Sequence, residues 1–274
     1  MLEETRPDGH GRARGLVSSR VSGQRIEART FAPSTDLRDM VHYYWVTRWD
    51  LRDQQPHLAE ILADPCVNIV FEATQSRVVG VSTHLFQRKL AGVGLIRAVK
   101  LRAGTARALL PDASIALLTD RMTSFGTFFD DTDGDLESHV LSPADDREGL
   151  TRLDDWISAR VTNADDPKIR LAATVVEHIA RDSDVMTAGQ AAEWSGLTIR
   201  QLQRLFRDYV GVSPKWVIRR HRLQETAVRL ERGETASLAR LAVELGYSDH
   251  AHLSRDFKIA TGRSPSDFAR EVWK

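Results

Sequence analysis

Leu202-x-Arg204-x-Phe206-Arg207-x3-Gly211-x-Ser213-Pro214 and Leu253-x-Arg255-x-Phe257-Lys258-x3-Gly262-x-Ser264-Pro265 are one phrase written twice. Upstream of each copy, Ala192-x3-Gly196 and Ala242-x3-Gly246 also correspond, with one extra residue in the second turn. Self-similarity at this scale constrains architecture directly, because each copy must build the same local unit. The unit reads as a helix, a tight turn at glycine, a second helix closed by another glycine, and a Ser-Pro that opens the next helix. Small alanines let the two helices cross closely, and Leu and Phe at i and i+4 face a three-helix core. Ser213 and Ser264 are expected N-caps, each followed by Pro at the first helical position. Each copy is therefore expected to be a helix-turn-helix, over about 187–211 and 237–262.

Between the copies, Trp216, Leu223, Ala227 and Leu230 share one stripe of a helix predicted over 214–232 and stopped at Gly233. About 19 residues at 1.5 Å each span roughly 28 Å, which suits two reading helices held in successive major grooves about 34 Å apart. On the helix from Ile199 to about Tyr209, the residues Leu202, Leu205, Phe206 and Tyr209 take one side. Arg200, Gln203, Arg204 and Arg207 take the other. Arginine pairs with guanine O6 and N7 and glutamine with adenine N6 and N7, so this is the donor set that base reading needs. Any amphipathic helix carries charge on its solvated face, but duplication inside the matching architecture favours the reading role. The second reading helix, about 249–259, buries Leu253, Phe257 and Ala260 and presents Ala251, Ser254, Arg255 and Lys258, flanked by His250 and His252. Arg255 is its strong candidate for a base edge, and Lys258, further along, suits a phosphate. The i, i+2 spacing of His250 and His252 points them roughly 200° apart on a helix, which argues against a metal pair.

These residues resemble the AraC/XylS transcription regulators over roughly 168–270. The most specific piece is Leu241-Ala-Val-Glu-Leu-Gly-Tyr-Ser-Asp-His-Ala-His-Leu-Ser-Arg-Asp-Phe-Lys258, followed by Gly262-Arg-Ser-Pro-Ser-Asp-Phe268. The resemblance implies two helix-turn-helix units joined by a long helix, double-stranded DNA as partner, and contacts at Arg200, Gln203 and Arg204 in the first unit. In the second it implies His250, Ala251, His252, Ser254 and Arg255, with His250 departing from the Gln that relatives often carry. It also allows a small-molecule effector, contact with RNA polymerase and a homodimer.

The rest of the chain reads differently. Short β-like runs, 42–49, 66–72, 76–82 and 114–118, are separated by Pro, Asp and Gly. Leu150, Leu153, Trp156 and Ile157 then mark an amphipathic helix within 145–160. The phrases Pro65-Cys-Val-Asn-Ile-Val-Phe-Glu72 and Val99-Lys-Leu-Arg-Ala-Gly104 resemble a sensor module found in part of the same family, which implies a cupin-like β-barrel and names no ligand. The expected fold is thus α+β with two domains: a flexible tail over 1–30, a β-rich cupin-like sensor or dimerisation domain over 31–160, a linker over 161–167, and an all-α double helix-turn-helix domain over 168–272.

Composition agrees. The chain of 274 residues has 38 basic and 38 acidic side chains, yet from Lys168 onward the count is 18 basic against 13 acidic. A basic C-terminal half fits a polyanion partner. No apolar run approaches the roughly 18 to 20 residues of a bilayer span, and the opening MLEETRPDGHGRARG lacks a signal-like apolar stretch, so a cytoplasmic protein without membrane contact is expected. The single cysteine, Cys66, excludes an internal disulfide and a multi-cysteine zinc site. His42, His57 and His84 are too scattered for a cupin metal site. Asp130-Asp-Thr-Asp-Gly-Asp135 lacks the calcium-loop spacing and reads as a solvated turn. No nucleophile, base and orienter assemble, so no catalysis and no cofactor are expected. Tyr43, Tyr44, Trp45 and Trp49 read as core, the alternative being the lining of a pocket. Cys66 reads as a buried strand cysteine; the alternative is a reactive-cysteine sensor or enzyme fused to the same DNA-binding domain.

Overall fold

A computed structural model describes residues 2–5, 25–129, 135–142, 144–162, 165–234 and 237–272. The chain is β-rich first and helical afterwards. Among the described residues nine strands come first: β1 (Glu4–Thr5), β2 (Ile26–Phe31), β3 (Val41–Leu51), β4 (His57–Ile61), β5 (Asn68–Glu72), β6 (Arg77–Val79), β7 (Phe86–Leu90), β8 (Gly92–Leu101) and β9 (Met122–Ser124). Seven of them form an antiparallel sheet in the order β1-β2-β3-β8-β5-β6-β9, while β4 and β7 pair as a separate ribbon. The long central pair β3 and β8 places Tyr44 opposite Val99 and Val46 opposite Arg97.

Helices α1 (Leu136–Leu141) and α2 (Asp146–Arg160) follow. Leu150, Leu153, Trp156 and Ile157 of α2 are buried as their spacing requires, in one cluster with the sheet residues Val46, Ile69, Phe71 and Val99. Phe125, Phe129 and Trp156 close the cluster, with ring centroids 4.8 to 5.5 Å apart. A buried guanidinium fastens helix to sheet: Arg97 donates to Asp146 Oδ1 at 2.9 Å and to the Val140 carbonyl at 2.6 Å. Of the aromatic group on β3, Tyr44 and Trp49 are core, Tyr44 donating to Asp154 at 2.8 Å, whereas Tyr43 and Trp45 are half-buried.

Two expectations need correction here. The stretch 114–118 is a 3-10 turn over Ile115–Leu118, not a strand, because it buries Ile115 and Leu118, three residues apart, and exposes Leu117. Residues 1–30 are not all tail either: β1 pairs with β2, and Leu2 is buried in the main cluster. The acidic phrase 130–135 lies outside the described residues except for Asp135, which precedes α1.

The helical region comprises α3 (Pro167–Arg181), α4 (Ala188–Trp194), α5 (Ile199–Leu205), a π turn over Phe206–Val210, α6 (Pro214–Glu231), α7 (Leu238–Glu244), α8 (His250–Thr261) and α9 (Pro265–Val272). Gly196 and Gly246, at matching points of the two copies, both have positive φ, 68° and 69°. A side chain there would strain the turn that reverses the chain into each second helix.

The β-rich and helical regions share their cores. Met40, Val81 and Ala108 pack with the first unit's Ile169, Val176, Leu205 and Phe206. Leu62, fully buried, packs with Leu223 and Leu230 of α6 and with Phe257 and Phe268. Polar contacts run alongside: Gln224 donates to Asp64 Oδ1 at 2.6 Å and to the Leu62 carbonyl at 3.1 Å, Arg220 to the Thr83 carbonyl at 2.8 Å, and Thr119 to the Gly211 carbonyl at 2.7 Å. Asp64 also accepts from the buried Lys100 ammonium, and Arg263 pairs with Glu60.

Candidate nucleic-acid interface

Helix α5, the expected first reading helix, starts rigidly. Thr198 and Gln201 form a capping box, each side chain bonded to the other residue's backbone N–H, which satisfies two orphan donors and fixes the helix entry. Gln201 is spent on that cap. Leu202, Leu205, Phe206 and Tyr209 are all buried, as the spacing predicts, while Arg200, Gln203, Arg204 and Arg207 are all exposed on the other side. Arg207 pairs with Asp208 at 3.0 Å. The helix does not stay α to its end: its last turn widens to π over Phe206–Val210, and Tyr209 there donates to Asp166 Oδ2 at 2.9 Å. Arg107 of the β-rich region lies 4.8 Å over the Tyr209 ring.

Helix α8, the expected second reading helix, is capped by a different residue type. Asp249 caps α8 by accepting from the His252 N–H at 2.7 Å, and this backbone bond holds its carboxyl below the usual range. A carboxylate at the leading end repels phosphate, whereas Thr198 at the equivalent place is neutral. Ala251, His250, Arg255 and Lys258 are exposed and Ser254 is half-buried. His252 is exposed but turned back over its own turn, Nδ1 3.2 Å from Ser248 Oγ and its ring edge-on to Tyr247 at 5.1 Å.

A brace between the two units was not visible in the sequence. Arg222, on α6, donates to the Met186 carbonyl at 2.7 Å and lies 5.7 Å over the Tyr247 ring, so one side chain spans from the start of the first unit to the turn of the second. A Cβ on Gly246 would come within 2.3 Å of Met186 Sδ, so the turn of the second unit packs directly on the Met186 side chain. Arg219 and Asp256 tie α6 to α8 at 2.8 Å.

Other candidates separate from this surface. Cys66 is buried, and burial pushes its thiol up to about 12, so the thiolate that reactivity needs is scarce at neutral pH. Among the described residues no group of three or more His, Cys, Asp or Glu is arranged to hold a metal, and no helix is long and apolar enough to cross a membrane.

A family model described as a helix-turn-helix domain matches residues 191–271. An AraC-like transcription regulator of Streptomyces antibioticus is 30% identical over 132 residues, 48% of this chain and 41% of that protein. The C-terminal helical region carries an AraC-type helix-turn-helix domain. Both copies of the repeat fall within or against the matched segment, so the AraC-type domain holds α5 and α8 alike. An HTH-type transcriptional regulator of Haemophilus influenzae is 32% identical over 83 residues, 30% of this chain and 28% of that protein. The chain thus spans less than half the length of the curated relatives it matches. A solved AraC-type regulator from Chromobacterium violaceum is 22% identical, covering 40% of this chain and 96% of that one at a TM-score of 0.35. ToxT from Vibrio cholerae is 10% identical, covering 84% and 97% at 0.41. Upstream of the AraC-type domain, residues 29–124 match a model described as a domain of unknown function (DUF6597).

Proposed function

We propose that this protein is a sequence-specific DNA-binding transcription regulator of the AraC type, with α5 and α8 entering successive major grooves of one duplex. The N-terminal region, about 31–160, senses a ligand or partner or holds a dimer together. The observation that carries the reading is the duplicated helix start: two capped helices, braced through Arg222, each presenting donors on the side away from its core. The linking helix α6 has 18 residues, hence about 27 Å of length, compatible with a one-turn separation of the reading helices. Selection of bound sequences from a random double-stranded library tests the reading, since it returns operator, subsite spacing and stoichiometry together. Enrichment of nothing above background would refute it.

Arg204→Ala is expected to weaken the selected site roughly 5- to 150-fold and to relax preference at one base pair, as loss of a bidentate guanine contact should. Competition against random DNA checks this at one fixed salt concentration; equal losses on both would make Arg204 a phosphate contact. The two units are expected to contribute unequally, the consensus being sharper where Arg200, Gln203 and Arg204 read than where Ala251, Ser254 and Arg255 do. Inserting half a helical turn, about 5 base pairs, between the subsites should abolish joint contact, because α6 and the Arg222 brace hold the units at one separation. Affinity surviving that insertion would mean that one unit is idle or free to swing.

A further inference from the structure

Ile199 is an exposed aliphatic side chain in a place where exposure is unusual in kind. It is 49% accessible at the first position of α5, directly after the Thr198 cap. Lone exposed apolar residues are ordinary on a protein surface, so position decides. Trp194, equally exposed on α4, is stacked on His178 with ring centroids 3.8 Å apart and is thereby accounted for within the fold. Ile199 instead begins the stripe that continues through Gln203 and Arg207 at four-residue steps, beside the Arg200 and Arg204 stripe. At 100° per residue it stands on the border between the buried side of Leu202 and Phe206 and the presented side of Gln203 and Arg207, half accessible, at the end expected to lead into a groove. Its β-branched side chain is stiff, and the capping box holds the backbone beneath it. Among the base edges of the major groove the C5 methyl of thymine is the apolar group.

We infer that Ile199 is a specificity-determining residue that packs on a thymine methyl, so that the first subsite contains an obligatory thymine next to the bases read by Arg200 and Gln203. The inference rests on the DNA-reading function proposed above and adds a base to it. The second unit has no equivalent: the residue in register is His250, polar and exposed at the first position of α8.

Replacing thymine by deoxyuridine removes that methyl and nothing else. With the full chain and the selected operator, each thymine of the first subsite is changed to deoxyuridine in turn and affinity is measured at one salt concentration. The wild-type protein is expected to lose about fourfold at a single position, the worth of one buried methyl. Ile199→Ala should bind the thymine operator correspondingly less well and be indifferent to deoxyuridine at that position, while Ile199→Val, which keeps the branched methyls, should retain the sensitivity. Thermal midpoints equal to wild type, expected for so exposed a side chain, show that the variants are folded. If the losses from Ile199→Ala and from deoxyuridine multiply at every position, the contact is refuted while DNA reading stands. If no operator is enriched at all, DNA reading falls and the contact with it.

Discussion

Asp64→Ala is expected to destabilise the protein by about 3 to 5 kcal/mol, because it strands a buried ammonium. Asp64 lies between β4 and β5, buried, and accepts from Lys100 on β8 and from Gln224 on α6. Lys100 is itself buried, with Tyr43 Oη at 3.2 Å as its other partner. Burial alone would push the Asp64 carboxyl up. The Lys100 cation and its hydrogen bond, with His221 and the Gln224 amide adding to them, outweigh that and hold it down at about 2. A carboxyl with a lower value in the folded than in the unfolded chain stabilises fully above its unfolded value, about 3.9. That stabilisation is lost as pH falls from about 4 towards 2. Denaturant midpoints measured across this range should therefore fall for the wild type and fall less for the double variant Asp64→Leu, Lys100→Met, which removes both charges together and should sit above Asp64→Ala at neutral pH. A neutral-pH midpoint unchanged in Asp64→Ala would overturn the assignment.

Phe257→Ala is expected to cost about 3 to 5 kcal/mol as well, by opening a cavity in a small core cluster. The ring is fully buried, edge-on to Phe268 at 5.5 Å, and shares its cluster with Leu223 and Leu230 of α6 and Leu62 from the β-rich region. Phe257→Leu keeps most of the volume and should recover much of the loss. Urea denaturation followed by far-UV circular dichroism reads both. A Phe257→Ala protein as stable as wild type that nevertheless failed to bind its operator would mean that the ring points at DNA and not into the core.

What was legible in the sequence was whatever repeats or alternates locally. The doubled phrase predicted α4, α5, α7 and α8 with their turns, and the stripes on α2 and α5 predicted which faces are buried. Expectations failed where burial depends on distant partners. Nothing near Leu62, Asp64 or Gln224 in the chain announces that a residue of the β-rich region completes the core of the second unit across about 160 positions. The 3-10 turn at Ile115–Leu118 looked like a strand because four apolar residues in a row carry either pattern, and the three-residue burial step appears only once the turn packs against the π turn after α5. The candidate interface was readable as a list of donors. The fixed attitude of His252, the use of Gln201 as a cap and the Arg222 brace required the turns themselves.

The shared cores bear on how such a chain can be recombined. The sequence places a boundary at 161–167, and a chimaera joined there would exchange one β-rich region for another. Cutting there would strip Leu62 from beside Phe257 and take the Leu62 and Thr83 carbonyls away from Gln224 and Arg220. Arg220, already pushed down to about 10 by burial, would keep its place over the Trp216 ring but lose its acceptor. The cassette that travels intact is therefore larger than the helical region: it includes the 60–66 and 81–85 stretches of the β-rich region and its Met40, Ala108 and Thr119, and β-rich regions exchange freely only with donors that carry matching residues there.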